Sequence, residues 1–235
     1  PTIFPGVPTM YISLLNQPDL TADDLSCFKY CSCGSAPLPV EIINQFKRKF
    51  DIPIFEGFGM SETAPTTHRN PVSGKRKVGS IGVPYPNTDA KIVDIETGTR
   101  EMPPGETGEL VVKGPQIMKG YWKNPEETSV ALRDGWLYTG DIAMMDEEGY
   151  FYIVGRKKEM IIASGFNIYP VEVEDVLYQH PGIEEACVYG VPDSYSGEAI
   201  RAAIVPKKGM HVTEDEIIAW CTGKLAKYKL PRAIE

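Results

Sequence analysis

The sequence lacks any apolar run near the roughly 18 residues that a membrane-spanning helix needs. It has no internal repeat, and its first residues lack the basic and then apolar pattern of a secretory signal. Cysteines are few, five in 235 residues, so a disulfide framework is not expected. Basic residues are outnumbered, 24 against 32 acidic ones, and the net charge of −8 argues against bulk nucleic-acid or anionic-membrane binding. These absences favour a cytoplasmic globular protein.

Two kinds of catalytic site find little support in the sequence. Cys27, Cys31 and Cys33 lie close together, but no histidine is near them and no second pair of ligands follows at zinc spacing. The three histidines are scattered, and no Ser/His/Asp arrangement emerges along the chain. We therefore expect neither a cysteine-bound metal nor nucleophilic hydrolysis.

Glycine and proline, in contrast, are abundant, at 22 and 20 residues. No repeat period accompanies them, so a fibrous fold does not account for the excess. Two explanations stay open. Either the chain is rich in tight turns, or its backbone approaches a ligand closely at several glycines. The length allows one or two domains with a substantial core.

The first third of the chain has the alternating pattern of an α/β fold. Residues 8–15 are predicted to form a helix, and residues 28–33 and 52–55 are predicted to form strands. Pro39 is predicted to begin a second helix. The backbone N–H groups in the first turn of a helix have no partner within the helix, so the missing N–H of proline costs no hydrogen bond there. This helix is basic on one face and apolar on the other, and its apolar stripe consists of Ile42, Ile43, Phe46 and Phe50.

The pattern changes twice further along the chain. Residues 78–154 have the pattern of short strands separated by glycine and proline. This pattern predicts a small, mainly antiparallel sheet or barrel. From residue 158 strands and helices alternate again in an α+β pattern, with one helix starting at Pro170. Thr213 and Glu216 predict the capping box of a last helix, whose buried face would consist of Ile217, Cys221 and Leu225.

The segment Phe58-Gly59-Met60-Ser61-Glu62-Thr63 follows a predicted strand and could bind a nucleotide. Its glycine lets a flat ligand approach the aromatic ring of Phe58. The Ser61 hydroxyl suits a phosphate, and the Glu62 carboxylate suits Mg²⁺. Taken alone, the segment is better explained as a turn with a capping serine and a surface glutamate.

Three further turns have both a functional and an ordinary explanation. Asp141 follows a turn glycine at a predicted strand end, where a carboxylate could bind both ribose hydroxyls or be a plain turn residue. Arg156 could reach phosphate or ribose oxygens, or belong to a solvated basic run at a hinge over residues 155–158. Residues 164–167 form a tight turn before an acidic helix start, which the helix dipole explains by itself.

The order of these motifs along the chain carries more information than any one of them. Over essentially its whole length the sequence resembles the adenylate-forming superfamily of acyl-CoA synthetases, luciferases and peptide-synthetase adenylation domains. Residues 6–11 and 164–170 are most similar to the fatty-acyl-CoA ligase branch. The motifs that carry the resemblance are Gly34-Ser35-Ala36-Pro37-Leu38-Pro39, Phe58 to Thr63, Gly108-Glu109-Leu110 with Gly114 and Gly120-Tyr121, Tyr138-Thr139-Gly140-Asp141, Gly155-Arg156 through Gly165 to Glu172, and Tyr228-Lys229-Leu230-Pro231-Arg232.

The resemblance implies a large domain ending at residue 157, α/β up to about residue 77 and β-rich from 78, followed by a small mobile domain from 158 to 235. It implies that the phosphate loop lies upstream of this segment and that the adenylation lysine lies downstream. By itself the segment would then be inactive or nearly so.

The resemblance also implies roles for individual residues. The turn from Gly34 to Ala36 would line the adenine, and Phe58, where the family often has Tyr, would stack on it. Ser61, in place of the more usual Thr, would contact phosphate. The nucleotide-binding set implied in this way is Gly34, Ser35, Ala36, Phe58, Gly59, Met60, Ser61, Asp141 and Arg156.

Other implied roles concern the metal, the acyl group, the thiol and the hinge. Glu62 would hold Mg²⁺, and Lys158 would be the hinge residue. Ser61, Glu62 and Arg156 would be the catalytic residues. Gly57, Gly59 and Met60 would border the acyl pocket, and Ser164, Gly165 and Phe166 would line the CoA tunnel.

The expected activity of the intact protein is that of an ATP-dependent acid–thiol ligase. It would join a medium- or long-chain fatty acid to CoA through an acyl-adenylate, with ATP, Mg²⁺ and CoA as cofactors or co-substrates. Two alternatives stay open: an adenylation unit that loads an acyl carrier protein, and a non-catalytic adenylate-binding or interaction module. The expected partners are small molecules and a second copy in a homodimer, with no nucleic acid. Peripheral contact with a membrane is compatible with this reading.

Overall fold

The computed structural model describes residues 1–235 and divides them into two compact units, residues 1–153 and 154–235. The sequence-based domain boundary lies four residues later, between Lys157 and Lys158. No helix of the chain is both long and apolar enough to cross a bilayer.

The first unit begins with a five-stranded sheet in the order β1-β2-β3-β4-β5. The first three strands are mutually parallel, and the last two are antiparallel to their neighbours. These strands are β1 (Ile3–Gly6), β2 (Tyr30–Cys33), β3 (Ile54–Gly59), β4 (Thr66–Arg69) and β5 (Val83–Pro84).

Two helices, α1 (Pro8–Leu15) and α2 (Val40–Phe50), connect the parallel strands. The predicted apolar stripe of α2 is confirmed, since all four of its residues are buried. The ring of Tyr11 packs edge-on against Phe46 at 5.3 Å, and its hydroxyl donates to the carbonyl oxygen of Ser32 at 2.8 Å. Burial of these side chains fixes both helices against the sheet through the hydrophobic effect.

A second, antiparallel sheet follows in the order β10-β9-β7-β6, with a short strand β8 beside β9. This confirms the predicted small antiparallel sheet, whose core contains Leu110, Leu137 and Phe151. The elements of this region are β6 (Asp89–Val93), β7 (Thr107–Lys113), α3 (Pro125–Ala131), β8 (Leu132–Arg133), β9 (Trp136–Met145) and β10 (Phe151–Arg156).

The second unit has the predicted α+β character. Its sheet runs in the order β12-β11-β14-β13, with β15 parallel to β14. The predicted capping box of Thr213 and Glu216 is confirmed. The elements are β11 (Ile161–Ala163), β12 (Phe166–Ile168), α4 (Pro170–Tyr178), β13 (Ile183–Asp193), β14 (Gly197–Pro206), α5 (Glu214–Cys221) and β15 (Ala233–Ile234).

Three sequence-based boundaries near the predicted motifs are wrong. The strand predicted to end before Asp141 continues to Met145, because a bulge in β9 absorbs the turn glycine without ending the pairing. Strand β3 extends through Gly59, so the motif at Phe58 begins inside a strand. Helix α5 stops at Cys221, and Leu225 therefore lies beyond its end.

Candidate active site

A cleft of about 430 Å³ lies where β1, β2 and β3 end. Ligands of open α/β sheets bind at the carboxyl ends of parallel strands, and this volume is typical of a small-molecule site. The lining residues are Pro5, Gly6, Val7, Met10, Ser32, Cys33, Gly34, Ser35, Phe55, Gly57, Phe58, Gly59, Pro65, Thr66, Arg69 and Tyr85.

The cleft brings together predicted residues from two separate motifs. Gly34 and Ser35 come from the turn after β2, whereas Gly57, Phe58 and Gly59 come from the end of β3. The predicted residues Ala36, Met60 and Ser61 are not among the lining residues. Met60 instead packs partly buried against the core of the second sheet.

The space around the backbone differs between two glycines of the cleft, Gly34 and Gly59. A Cβ atom built on Gly34 would meet no atom within 4 Å, so the space above this glycine is open. A Cβ atom on Gly59 would lie 1.8 Å from the carbonyl oxygen of Pro65, a distance that no real side chain tolerates. Beside Gly34, Ser35 adopts a left-handed φ of +74°, which is strained for a residue with a side chain.

The ring of Phe58 is half-buried and has an aromatic neighbour that the sequence did not single out. The imidazole of His68, directly opposite Phe58 on β4, lies edge-on at 6.2 Å between ring centroids. His68 is fully buried, so desolvation lowers the pKa of its imidazole to about 3 and keeps it neutral. Its Nδ1 pairs with the Thr67 hydroxyl, and its Nε2 has no hydrogen-bond partner.

Ser61 and Glu62 are displayed on a short 3₁₀ turn directly after β3. The buried Thr63 holds this turn, because its hydroxyl oxygen accepts from the Met60 backbone N–H at 3.0 Å and lies 2.9 Å from the Pro65 carbonyl. Ser61 is exposed, as a phosphate ligand would need to be.

The Glu62 carboxylate is tied to a residue 59 positions away in the sequence. The Tyr121 hydroxyl donates to Glu62 Oε1 at 2.9 Å, and the Met118 N–H donates to the Glu62 carbonyl at 2.8 Å. No group of three or more acidic, histidine or cysteine side chains is arranged to hold a metal ion. A single hard carboxylate nevertheless fits Mg²⁺, which is usually bound through one or two carboxylates together with substrate phosphates.

Asp141 lies inside β9, at the bulge opposite Leu110. The Thr139 hydroxyl donates to the Leu110 carbonyl at 2.8 Å and accepts from the Asp141 N–H at 3.1 Å. The Gly140 N–H donates to Glu109 Oε1 at 3.1 Å. These bonds fix the backbone that carries the buried Asp141 carboxylate, which is not among the cleft's lining residues.

The cysteines of β2 are unsuited to covalent catalysis. Burial raises the pKa of the Cys33 thiol to about 12, with a further contribution from the Glu56 charge, and raises that of Cys31 to about 11. Because the thiolate is the nucleophile, neither thiol reacts readily near neutral pH.

The remaining predicted residues belong to the second unit. Arg156 is the exposed last residue of β10, and Lys158 lies in the turn that follows. Ser164 and Gly165, with φ of +52° and +81°, form the two-residue loop of the hairpin between β11 and β12. Phe166, at the start of β12, stacks on Tyr228 with ring centroids 4.4 Å apart.

Arg69 and Tyr121 are the site neighbours that sequence reasoning gave no role. Tyr121 was part of a motif, but nothing local signals its bond to Glu62. Arg69 lines the cleft from β4, a strand that the sequence analysis did not predict. Pairing of β4 with β3 places Arg69 opposite Gly57 and brings it to the cleft.

Two family models match the chain. A sequence model described as "AMP-binding enzyme" matches residues 1–122, and one described as "AMP-binding enzyme C-terminal domain" matches residues 172–235. A long-chain-fatty-acid–CoA ligase of Bacillus subtilis (strain 168) is 54% identical over 235 residues, which are 100% of this chain and 42% of that protein. A feruloyl-CoA synthase of an Amycolatopsis species is 43% identical over all of this chain and 47% of its own length.

Among solved structures, ATP-bound MatB from Rhodopseudomonas palustris superimposes with a TM-score of 0.94 at 39% identity. The match covers 99% of this chain and 46% of that one. The chain thus spans a little under half the length of the relatives it matches.

Proposed function

The chain belongs to the family of AMP-binding enzymes, and from this membership we propose that it is part of an ATP-dependent acid–thiol ligase. The proposed reaction activates a carboxylic acid as an acyl-adenylate and then transfers the acyl group to CoA. A medium- or long-chain fatty acid is the proposed substrate, in keeping with the name of the Bacillus relative. The complete reaction is proposed for a polypeptide of the relatives' full length.

The cleft at the ends of β1, β2 and β3 is the observation that carries this proposal. It joins the Gly34–Ser35 turn to the ring of Phe58 within one space of about 430 Å³. The open space above Gly34 would let a planar base lie against the backbone. We propose that adenine occupies this position and that the acyl group borders Gly57, Gly59 and Met60.

Polar residues that do not line the cleft are proposed to hold the rest of the nucleotide. Asp141 would accept the ribose hydroxyls, Arg156 would contact ribose or phosphate oxygens, and Ser61 would donate to a phosphate. Glu62, whose Oε1 the Tyr121 hydroxyl already orients, would hold Mg²⁺, which when bound supplies positive charge next to the phosphate oxygens.

The proposed chemistry has two displacement steps. A carboxylate oxygen of the acid attacks the α-phosphorus of ATP, and pyrophosphate leaves. The CoA sulfur, as a thiolate, then attacks the acyl carbon, and AMP leaves. Negative charge builds on the phosphoryl oxygens in the first step, so positioning and electrostatic stabilisation are the main contributions of the protein. No enzyme nucleophile is needed, which agrees with the raised pKa values of Cys31 and Cys33.

The second unit is proposed to act in the thiol-transfer step. Ser164, Gly165 and Phe166, on the exposed hairpin loop and the strand that follows it, would line the path of the CoA pantetheine. Lys158 stays the proposed hinge residue, with the large domain ending at residue 157. Small molecules in the cytoplasm are the proposed partners, and the acidic composition gives no reason to add a nucleic acid.

Replacement of Asp141 by Ala in the full-length protein tests the proposed nucleotide site. Loss of two hydrogen bonds to a charged acceptor, each about 1.5–3 kcal/mol, should raise the Kd for ATP at least about a hundredfold. Asp141→Asn removes the negative charge but keeps the size of the side chain, so it shows how much of the effect is due to the charge. Asp89→Ala, on an exposed position of β6, is the matched control. Isothermal titration with ATP measures the effect, and thermal unfolding confirms that each variant folds. An unchanged Kd in a folded Asp141→Ala variant would remove Asp141 from the site.

A further inference from the structure

Arg69 is the one charged residue among those that line the cleft. It lies at the end of β4, directly opposite Gly57 of β3, and is half-buried. The nucleotide and acyl roles described above leave this guanidinium without a function.

The Arg69 side chain crosses β3 at Gly57. Its guanidinium carbon lies 5.2 Å from the ring centroid of Tyr30, which belongs to β2 on the far side of β3. A Cβ atom built on Gly57 would lie 3.8 Å from Arg69 Cγ, which places the Arg69 side chain directly beside this part of β3. Cation–π attraction to Tyr30 keeps the guanidinium extended over the sheet.

The guanidinium has no carboxylate partner in the chain. Arg69 takes part in no ion pair, whereas Arg48 and Arg201 each have one. The neighbouring hydroxyl groups of Tyr30 and Tyr85 raise the Arg69 pKa, against the effect of burial. A guanidinium has five N–H donors, and two hydroxyl oxygens leave several of them available to a ligand.

The Arg69 side chain points away from the turn with Ser61 and Glu62, where the reaction is proposed to take place. Ser61 and Glu62 follow the carboxyl end of β3, beyond Gly59. Arg69 is opposite Gly57 and reaches back toward Tyr30, at the start of β2. Extended chain rises about 3.3 Å per residue, so Gly57 and Gly59 alone are separated by about 7 Å along the strand. The guanidinium therefore lies toward the end of the cleft away from the phosphate-binding turn.

We propose that Arg69 is a specificity-determining residue, which binds an oxygen-bearing group on the acid substrate at the end away from the reacting carboxylate. A second carboxylate is the best match, because it can accept two parallel N–H bonds from a guanidinium. A hydroxyl group is the weaker match. A methyl-terminated chain would leave the guanidinium donors unpaired when it displaces water, which disfavours such a substrate. This inference rests on the proposed ligase function, and it narrows the proposed substrate from fatty acids in general to those with a second oxygen-bearing group at the end away from the reacting carboxylate.

The test compares three acids of equal chain length on the full-length protein: octanoate, its ω-hydroxy derivative, and octanedioate. We expect the wild-type protein to have the highest kcat/KM for octanedioate. Arg69→Met should lower kcat/KM for octanedioate by about tenfold to a hundredfold, as the loss of a charged hydrogen bond does. The loss should appear mainly in KM, because the contact is made in ground state and transition state alike. The value for octanoate should stay unchanged or rise.

Arg76→Met is the matched control. Its guanidinium lies 5.5 Å from the Phe55 ring and donates to the Ile54 carbonyl, but Arg76 does not line the cleft. This variant should keep the wild-type ranking of the three acids. Arg69→Lys keeps the charge without the planar fork and should give an intermediate loss for octanedioate.

Two results would overturn the inference while the ligase function stands. One is an equal loss for all three acids, which would mean that Arg69 acts on the reacting carboxylate or on the fold. The other is an unchanged ranking in Arg69→Met. If Arg69→Met does not fold, thermal unfolding of the wild-type protein decides, since octanedioate must then stabilise it more than octanoate does. Absence of adenylate formation from every carboxylic acid would overturn the proposed function, and this inference with it.

Discussion

Two glycine-containing segments border the same cleft, yet their surroundings differ. The Gly34–Ser35 turn follows β2, and a Cβ atom on Gly34 would project into open space. The Gly57–Gly59 segment ends β3, and a Cβ atom on Gly59 would collide with the backbone of Pro65 and Thr66. The first segment is not constrained by neighbouring protein atoms, whereas the second is held by close backbone packing.

The different surroundings of Gly34 and Gly59 indicate that glycine is present at these two positions for different reasons. At Gly59 the fold alone requires the absence of a side chain, because β3 and β4 approach so closely there. At Gly34 nothing in the chain requires it, and the backbone φ is not left-handed. A ligand that approaches the backbone is then the simplest physical reason for glycine at position 34. Each segment can be tested by substitution.

Gly59→Ala should have the largest effect. A Cβ atom 1.8 Å from the Pro65 carbonyl oxygen cannot be accommodated unless the backbone of β3 or β4 moves. We expect the free energy of unfolding to fall by at least about 3 kcal/mol, the upper range for overpacking. Chemical denaturation followed by circular dichroism measures this loss.

Gly57→Ala is the control for Gly59→Ala, since its Cβ atom would meet the His68 carbonyl oxygen at 3.0 Å and require a smaller shift. A Gly59→Ala protein as stable as the wild type would show that β3 and β4 separate easily at this point.

Gly34→Ala should leave stability nearly unchanged and weaken ligand binding. The new methyl group occupies space that is open in the protein but lies in the cleft. We expect the Kd for ATP to rise about tenfold, equivalent to about 1.4 kcal/mol, while the unfolding midpoint stays within experimental error. Parallel titration calorimetry and thermal unfolding of the full-length protein measure both quantities. A marked loss of stability with unchanged ATP affinity would reverse the proposed distinction between the two segments.

Ser35→Gly should have the smallest effect, and in the stabilising direction. Ser35 has a φ of +74°, which glycine adopts without strain. Relief of that strain, partly offset by the greater entropy of glycine in the unfolded chain, should raise the free energy of unfolding by about 0.5–1 kcal/mol. Ser35→Val, which adds β-branching at a left-handed position, should lower it. A lower stability for Ser35→Gly would mean that the serine side chain contributes more than its backbone strain costs.

Local sequence patterns predicted the regular elements well where the pattern was long or strongly marked. The apolar stripe of α2 and the capping box of α5 are confirmed, because periodicity and cap residues act within one helix. Short strands were harder to predict. The strands β4 and β5 were missed, since four and two residues carry no readable alternation.

The candidate site was predicted in part, for a related reason. Gly34, Ser35, Phe58 and Gly59 meet in one cleft because parallel strands end at the same edge of their sheet. The partner of Glu62 could not be found in the same way, since Tyr121 lies 59 residues further along the chain, in the loop between β7 and α3.

By itself, the sequence determined the composition, the helix faces and the order of motifs that identifies the AMP-binding family, because each of these is a property of residue identity or of short spacing. Only the tertiary structure decided which glycine is required by packing, which residues share the cleft, and where the Arg69 guanidinium lies. These depend on distances between residues of different strands, and such distances are fixed only when the sheet assembles around its buried core.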